Sequence, residues 1–388
     1  MRPIRVLHVA GSMKRGGIET WLMSLIREAD RRRFHFDFVV SNRSSSPWEN
    51  EIRDLGGRIH LCLAHSQPAR YAYNLARLLR THGPYDIIHS HLHQLNGIVA
   101  LVGALSGVKV RIVHSHFAIS GKQSESSVIA NERNRISRLL IGSFATGALA
   151  CSASAGCALF GPDWEQGSNR RVLLCGIDLS PFSAKPNRDH IRAALGIPRQ
   201  SILVGHAGRF VEQKNHSFFI DVAIQYARLE PRSHFLLLGD GPLLAEIRNR
   251  ASASPFGDRF HFAGARDDVP ALMLAMDCFL FPSHFEGLPL VLIEAQAAGL
   301  PCVSSDVIAP ETDVCPFLIR RMSLNQGPEK WAKTIASAIA ESTPEQKDAA
   351  LRTMESSAFN ISSAWHELES YYLQLCGISK PLEQAAAA

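Results

Sequence analysis

Short apolar runs alternate with segments of helical periodicity along most of the chain. The runs at residues 4–10, 34–40, 58–63, 87–90, 110–114 and 147–151 have the length of strands. Between them, 18–27, 71–79 and 96–105 repeat apolar residues at helical spacing, as with Trp21, Leu22, Leu25 and Ile26. A second series follows at 202–207, 235–239, 260–262, 277–281 and 301–304, with a helix over 218–227. Continuously apolar strands that alternate with amphipathic helices predict a parallel, doubly wound sheet covered on both faces. A segment rich in Pro, Asp, Asn and Arg, residues 180–198, separates the two series. The chain therefore reads as two α/β domains joined near residue 178, and 388 residues suffice for both.

Composition adds little until it is divided along the chain. A hydrophobic fraction of 46% is ordinary for a globular protein. No apolar run approaches the roughly 20 residues of a membrane span. MRPIRVLHVAGS reads as a first strand rather than a signal peptide, so a cytoplasmic protein is expected. Eight cysteines without a C-x-x-C pair argue for reduced, structural thiols. The net charge of +5 hides an asymmetry: residues 1–150 hold 20 Lys and Arg against 10 Asp and Glu, and the rest hold 21 against 26. A basic first half, with Arg31–Arg33 and the helical Arg133, Arg135 and Arg138, suits an anionic partner; an ordinary solvated surface is the plainer alternative. No recognition motif or aromatic-interleaved basic stripe supports nucleic acid.

The richest stretch is FPSHFEGLPLVLIEAQAAG, residues 281–299. The apolar run 278–281 is a buried strand, and Pro289 can open a helix because its fixed φ suits the first turn. Gly299 and Pro301 stop that helix. Glu286 then lies in the loop before the helix and Glu294 within it. Between them stand free amides and the positive end of the helix dipole, which suit a phosphate.

Other strand ends carry candidate chemistry. The loop from Gly11 to Gly17 pairs Gly16 with Gly17 before a helix, but it lacks G-x-G-x-x-G and the Walker lysine. His89, His91 and His93 alternate after one strand, as do His114 and His116 after another. Histidines in this pattern could contact substrate, serve the core or bind metal. No nearby carboxylate or cysteine completes a ligand set, so a metal is not expected. Arg209 and Lys214 bring two cations to a third strand end, where a diphosphate would meet a guanidinium fork and a point charge. Gly239 to Pro242 reads by itself as a turn, and Asp267 and Asp268 as caps for the helix that follows at Val269.

Together these segments resemble the retaining glycosyltransferases of family 4, which have the GT-B fold: two Rossmann-like domains facing across a cleft. The resemblance spans nearly the whole chain. Its most specific part is the pair of glutamates separated by seven residues, Glu286 and Glu294, within EGLPLVLIEAQAAGLP. GRFVEQKN, VLLCGID and the glycine loop before Ile18 support it. The wording is most similar to bacterial exopolysaccharide and capsule-assembly members.

The resemblance implies domains at 1–177 and 178–362, the first completed by a helix over 363–380, with 381–388 a tail. It implies that Glu286 binds hydroxyls of a donor sugar and that Glu294 holds the ribose. Arg209 and Lys214 would neutralise the departing diphosphate in place of a metal, since no D-x-D motif is present. The amides around Gly16, Gly17, Gly287, Leu288, Pro289 and Leu290 would add dipolar support, and Gly239 and Val269 would complete the donor site. His116 is preferred to His114 as the imidazole beside the sugar. Cys175 stands where the family usually carries Asn, which puts a local contact in doubt. The expected partners are a nucleotide-sugar donor, UDP before GDP, and a glycan or polyprenyl-diphosphate-linked acceptor. An anionic membrane surface would meet the basic domain, and no cofactor is expected. A sugar-nucleotide epimerase of the 2-epimerase kind and a catalytically silent sugar-nucleotide-binding protein are the alternatives.

Overall fold

The computed structural model describes residues 2–42, 46–117, 128–184 and 186–378, so the tail expected at 381–388 lies outside the described residues. The chain forms two compact units. One holds the residues up to Gly176 together with the helix Ile361–Leu375, and the other is Ile177–Asn360.

The first unit has seven parallel strands: β1 Ile4–Val9, β2 Phe34–Val40, β3 Ile59–Leu61, β4 Ile87–Ser90, β5 Val110–Ser115, β6 Gly147–Ala150 and β7 Arg170–Val172. They pair in the order β3-β2-β1-β4-β5-β6-β7. The second unit has six parallel strands: β8 Ile202–Ala207, β9 Ser233–Leu238, β10 Phe260–Gly264, β11 Cys278–Phe281, β12 Cys302–Ser305 and β13 Ile319–Met322. Their order is β10-β9-β8-β11-β12-β13. Each sheet winds outward from its first strand and then reverses, at β1/β4 in one unit and at β8/β11 in the other. Chain connections diverge at such a reversal, leaving a crevice at the carboxyl ends of the strands.

The apolar runs are buried because helices cover both faces. Leu7, Val9, Val39, Ile88, Leu75 and Val99 pack together in the first unit. Val204, Phe219, Ile220, Phe235, Leu280 and Trp331 do so in the second. The helix Ile361–Leu375 joins the first core through Trp365, which stands edge-on to Phe34 with ring centroids 5.2 Å apart. Its Tyr371 hydroxyl donates to the Asn169 carbonyl at 2.6 Å. All eight cysteines are free thiols, six of them buried.

Candidate functional site

The site in the second unit starts from strand order. β8 and β11 are neighbours, so the segments that leave them, GRFVEQKN and PSHFEG, emerge side by side. Five hydrogen bonds join the two loops. The His284 amide donates to the Gln213 carbonyl at 2.8 Å. Gln213 Nε2 donates to the Phe285 carbonyl and to Glu286 Oε2, both at 2.9 Å. Lys214 Nζ donates to Glu286 Oε1 at 2.6 Å, and Asn215 Nδ2 to the Pro282 carbonyl at 3.1 Å. Asn215 holds a left-handed backbone, φ 52°, which Asn tolerates better than most residues. That conformation turns the chain from the Glu212–Lys214 turn into the helix His216–Leu229.

This geometry gives the two expected cations different surroundings. Arg209 and Lys214 do not form a pair of equivalent cations. Lys214 is largely buried and ion-paired, whereas Arg209 is exposed and its guanidinium has no partner among the described residues. Nor is Glu286 a free carboxylate, since each oxygen already accepts a hydrogen bond. The helix after it begins at Leu290, with Pro289 as its N-cap, one residue later than the proline suggested. Leu288 and Leu290 stand at that helix end with amides that donate to no acceptor among the described residues, beside a buried Gly287. The helix ends in a closed C-terminal motif. Gly299, at φ 68°, donates to Gln296, and the Leu300 amide donates to Ala295.

Glu294 sits on the same helix with no hydrogen-bond partner for its carboxyl group among the described residues, and burial pushes its pKa up to about 7. Gly239 has a packing role: at φ 133°, a Cβ there would lie 2.1 Å from the Gly208 carbonyl. Its amide is already given to the Gly264 carbonyl at 2.8 Å, so it is not open to a phosphate. Val269 opens a six-residue helix. Asp268 does not cap that helix with its side chain; it pairs with Arg266 instead.

In the first unit, Gly16 is the N-cap of the helix Gly17–Glu28. Glu19 folds back over it and accepts from the Ser12 hydroxyl at 2.9 Å. A Cβ at Gly16 would lie 2.4 Å from the Glu19 carboxylate, the far end of a flexible side chain, so a larger residue there would push that carboxylate aside. The histidines gather at the β1/β4 reversal. His8 pairs in register with His89 across β1 and β4, while His91 and His116 follow the ends of β4 and β5. His8 Nδ1 lies 3.0 Å from His91 Nε2, and His91 Nδ1 lies 2.9 Å from His116 Nε2. His89 Nδ1 meets the Tyr372 hydroxyl at 2.7 Å. Trp21 stands edge-on to His91, His114 and His116. His114 is fully buried with neither ring nitrogen partnered. His93 leaves the row for a short turn, where its ring meets Phe117.

The expectation that no ligand set is completed needs correction. His8, His89 and His91, and likewise His91, His114 and His116, bring three imidazoles within ligating reach of one another. Both sets need His91, and both of its ring nitrogens are already engaged. Their separations of 3.0 and 2.9 Å are shorter than the roughly 3.3 Å between two nitrogens on one tetrahedral zinc. Hydrogen bonding between neutral rings accounts for the row. Burial holds both His8 and His116 down to about 3. The site contacts of Gln213, Asn215, His8 and Trp21 have no signal in the sequence. The first two lie within the quoted GRFVEQKN, but only strand adjacency shows what they touch.

Two doubly wound sheets, with a Lys–Glu pair, an open helix end and an unpartnered carboxyl group around one sheet reversal, define a GT-B protein. Comparison with known proteins agrees with this. Residues 15–180 match the family model for Glycosyltransferase Family 4, and residues 187–352 match that for Glycosyl transferases group 1. EpsF of Bacillus subtilis (strain 168), named a glycosyltransferase, is 36% identical over 88% of this chain and 90% of its own. CapH of Staphylococcus aureus, named a capsular polysaccharide biosynthesis glycosyltransferase, is 22% identical over 95% of this chain and 99% of its own. HepE of Anabaena in complex with UDP-glucose superposes with a TM-score of 0.79 at 18% identity, covering 95% and 98% of the two chains. The chain belongs to the glycosyltransferases of family 4.

Proposed function

We propose that this enzyme transfers a sugar, with retention of anomeric configuration, from a nucleotide-diphosphate sugar to a glycan or polyprenyl-diphosphate-linked acceptor of a surface polysaccharide. The observation that carries this reading is the Lys214–Glu286 pair at the β8/β11 reversal, beside the open amides of Leu288 and Leu290. UDP is the favoured nucleotide, with GDP next, and the UDP-glucose complex of HepE supports that order. The CapH name supports a polysaccharide product.

Each group has a task in this reading. The ribose hydroxyls meet Glu294. The departing diphosphate lies at the helix end, where the amides of Leu288 and Leu290, with Lys214 and the unpaired Arg209, take up its growing negative charge. Charge stabilised by groups already in place costs no reorganisation in the transition state. Those two cations stand where a divalent ion would otherwise act, so turnover needs no metal. Glu286, held by Lys214 and Gln213, is fixed to receive a sugar hydroxyl. His116 contacts the sugar, and the leaving phosphate accepts the acceptor's proton on the same face.

The test incubates the purified chain with UDP- and GDP-sugars, with and without lipid-diphosphate acceptors, in EDTA. An α-linked product from an α-linked donor is expected, its anomer read by NMR. Inversion, or turnover only after a divalent ion is restored, would refute the mechanism. An epimerised donor without acceptor would favour an epimerase. We also propose that the basic first unit binds the inner membrane surface. Among the described residues no helix is long and apolar enough to cross a membrane. Flotation with anionic liposomes at low salt should carry the protein upward and neutral liposomes should not; equal flotation with both would sink the idea.

A further inference from the structure

The five buried histidines of the first unit contain an ordered file. His8 Nδ1, His91 Nε2, His91 Nδ1 and His116 Nε2 follow one another with separations of 3.0 and 2.9 Å between rings. The file ends at Cys175, whose Sγ lies 3.9 Å from His116 Nδ1. At its other end His8 Nε2 is buried with no partner among the described residues. Only His116, at 9% exposure, approaches the surface, while His8 is at 0% and His91 at 5%.

Proton counting gives this file a direction. Three neutral imidazoles carry three N–H groups. Each of the two gaps between rings holds one, so the third sits at an end. Placed on His8 Nε2, it would be a buried donor with no acceptor, which costs the full desolvation of that group. Placed on His116 Nδ1, it points at a thiol sulfur, a weak acceptor. A bare lone pair on His8 Nε2 is the smaller penalty, since orphaned N–H groups are the rarer kind in folded proteins. Every ring then carries its proton on Nδ1, and His91 and His116 accept through Nε2. The hydrogen bond at one nitrogen sets the proton on the other.

We propose that His8 and His91 are positioning residues that lock His116 as the Nδ1–H tautomer, with Cys175 as its resting partner. The proposal rests on the reading that His116 contacts the sugar substrate. It adds what that contact is: His116 meets an oxygen of the sugar or its phosphate as a hydrogen-bond donor through Nδ1. The oxygen displaces only a weak thiol contact. His116 has no free lone pair for proton abstraction, because Nε2 is occupied by the N–H of His91. The acceptor's proton must therefore go elsewhere, in keeping with its transfer to the departing phosphate. His114, without a polar partner on either nitrogen among the described residues, lies tilted against His116 with ring centroids 4.0 Å apart and stands outside the file.

The test is the tautomer itself. Multiple-bond 15N–1H spectra of protein labelled in histidine, assigned with single-site variants, should show His116 with a protonated Nδ1 and a bare Nε2. A bare Nδ1 in the wild type overturns the proposal, whether or not any variant folds. His91→Phe removes the donor and should shift His116 toward Nε2–H, lowering kcat about 10-fold, the scale of one lost hydrogen bond, with a smaller change in KM. His91→Asn places an amide N–H near the position of Nδ1 and should recover the Nδ1–H signature and most of kcat. Loss of kcat in both variants with the His116 signals unchanged would assign His91 a purely structural role. Stoichiometric Zn2+ uptake that abolishes the inter-ring hydrogen bonds would also overturn the file. The spectrum needs no turnover, so a locked tautomer in a chain without transferase activity would sink the function while leaving the lock standing.

Discussion

The two units place candidate functional residues at the same topological point and fill it with opposite chemistry. At the β8/β11 reversal the groups are charged: Lys214 bonded to Glu286, an unpaired Arg209, and Glu294 without a partner. At the β1/β4 reversal they are neutral imidazoles, packed under Trp21 and held uncharged by burial. The contrast teaches that a doubly wound sheet supplies a place, while the side chains at its strand ends decide what is done there. A departing diphosphate needs fixed charge. A sugar hydroxyl needs directed hydrogen bonds, and a neutral ring gives these without attracting a competing anion.

Acid should break the comparison most strongly. His8, His89, His91, His114 and His116 all have pKa values held below the ordinary histidine value by burial. A lowered folded-state pKa gives stability that is present above about 6.5 and is lost as pH falls from there toward the folded values. The second unit has only His206 and His216 of this kind among its fully or largely buried rings, lowered to about 4 and about 2. Hydrogen exchange at stepped pH should show the first unit opening first, with more than about 3 kcal/mol of stability lost between pH 6.5 and 4.5. Simultaneous opening of both units would remove the distinction.

Lys214→Ala tests the charged site next. It removes a cation at the leaving group and strands the Glu286 carboxylate, so turnover should fall about 100-fold or more, measured as kcat with a UDP-sugar. Near-normal kcat would refute the role. The smallest effect is expected from Glu294→Gln. With its folded-state pKa raised from 4.5 to about 7, Glu294 contributes stability at low pH that is lost as pH rises through 7. At pH 8 the amide variant should melt higher, by a gain of about 1–2 kcal/mol, yet bind UDP more weakly in calorimetry. Equal melting at pH 5 and pH 8 relative to wild type would contradict the burial argument.

Much of the fold was legible from local pattern. Strands β1, β2, β8 and β11 are apolar runs bounded by polar turns, and a parallel sheet needs both faces covered. Glu286 and Glu294 stood out because loop and helix signals around Pro289 separate them. Their surroundings were not legible. Glu286 meets Lys214 across 72 positions of sequence, and His8 meets His91 across 83. Neither contact leaves a local trace. The contacts of Gly239 are equally non-local: its amide donates to the Gly264 carbonyl, and its Cα lies against the Gly208 carbonyl.

The sequence by itself determined the alternation of strands and helices, the two α/β domains, the family, and the residue types gathered at strand ends. Those follow from short-range periodicity, turn chemistry and spaced motifs. Only the tertiary structure decided that Lys214 is neutralised by Glu286 while Arg209 is not, and that His8, His91 and His116 form a single file. Charge pairing and imidazole tautomers depend on distances of about 3 Å between strands far apart in the chain, and strand order rather than sequence order brings them there.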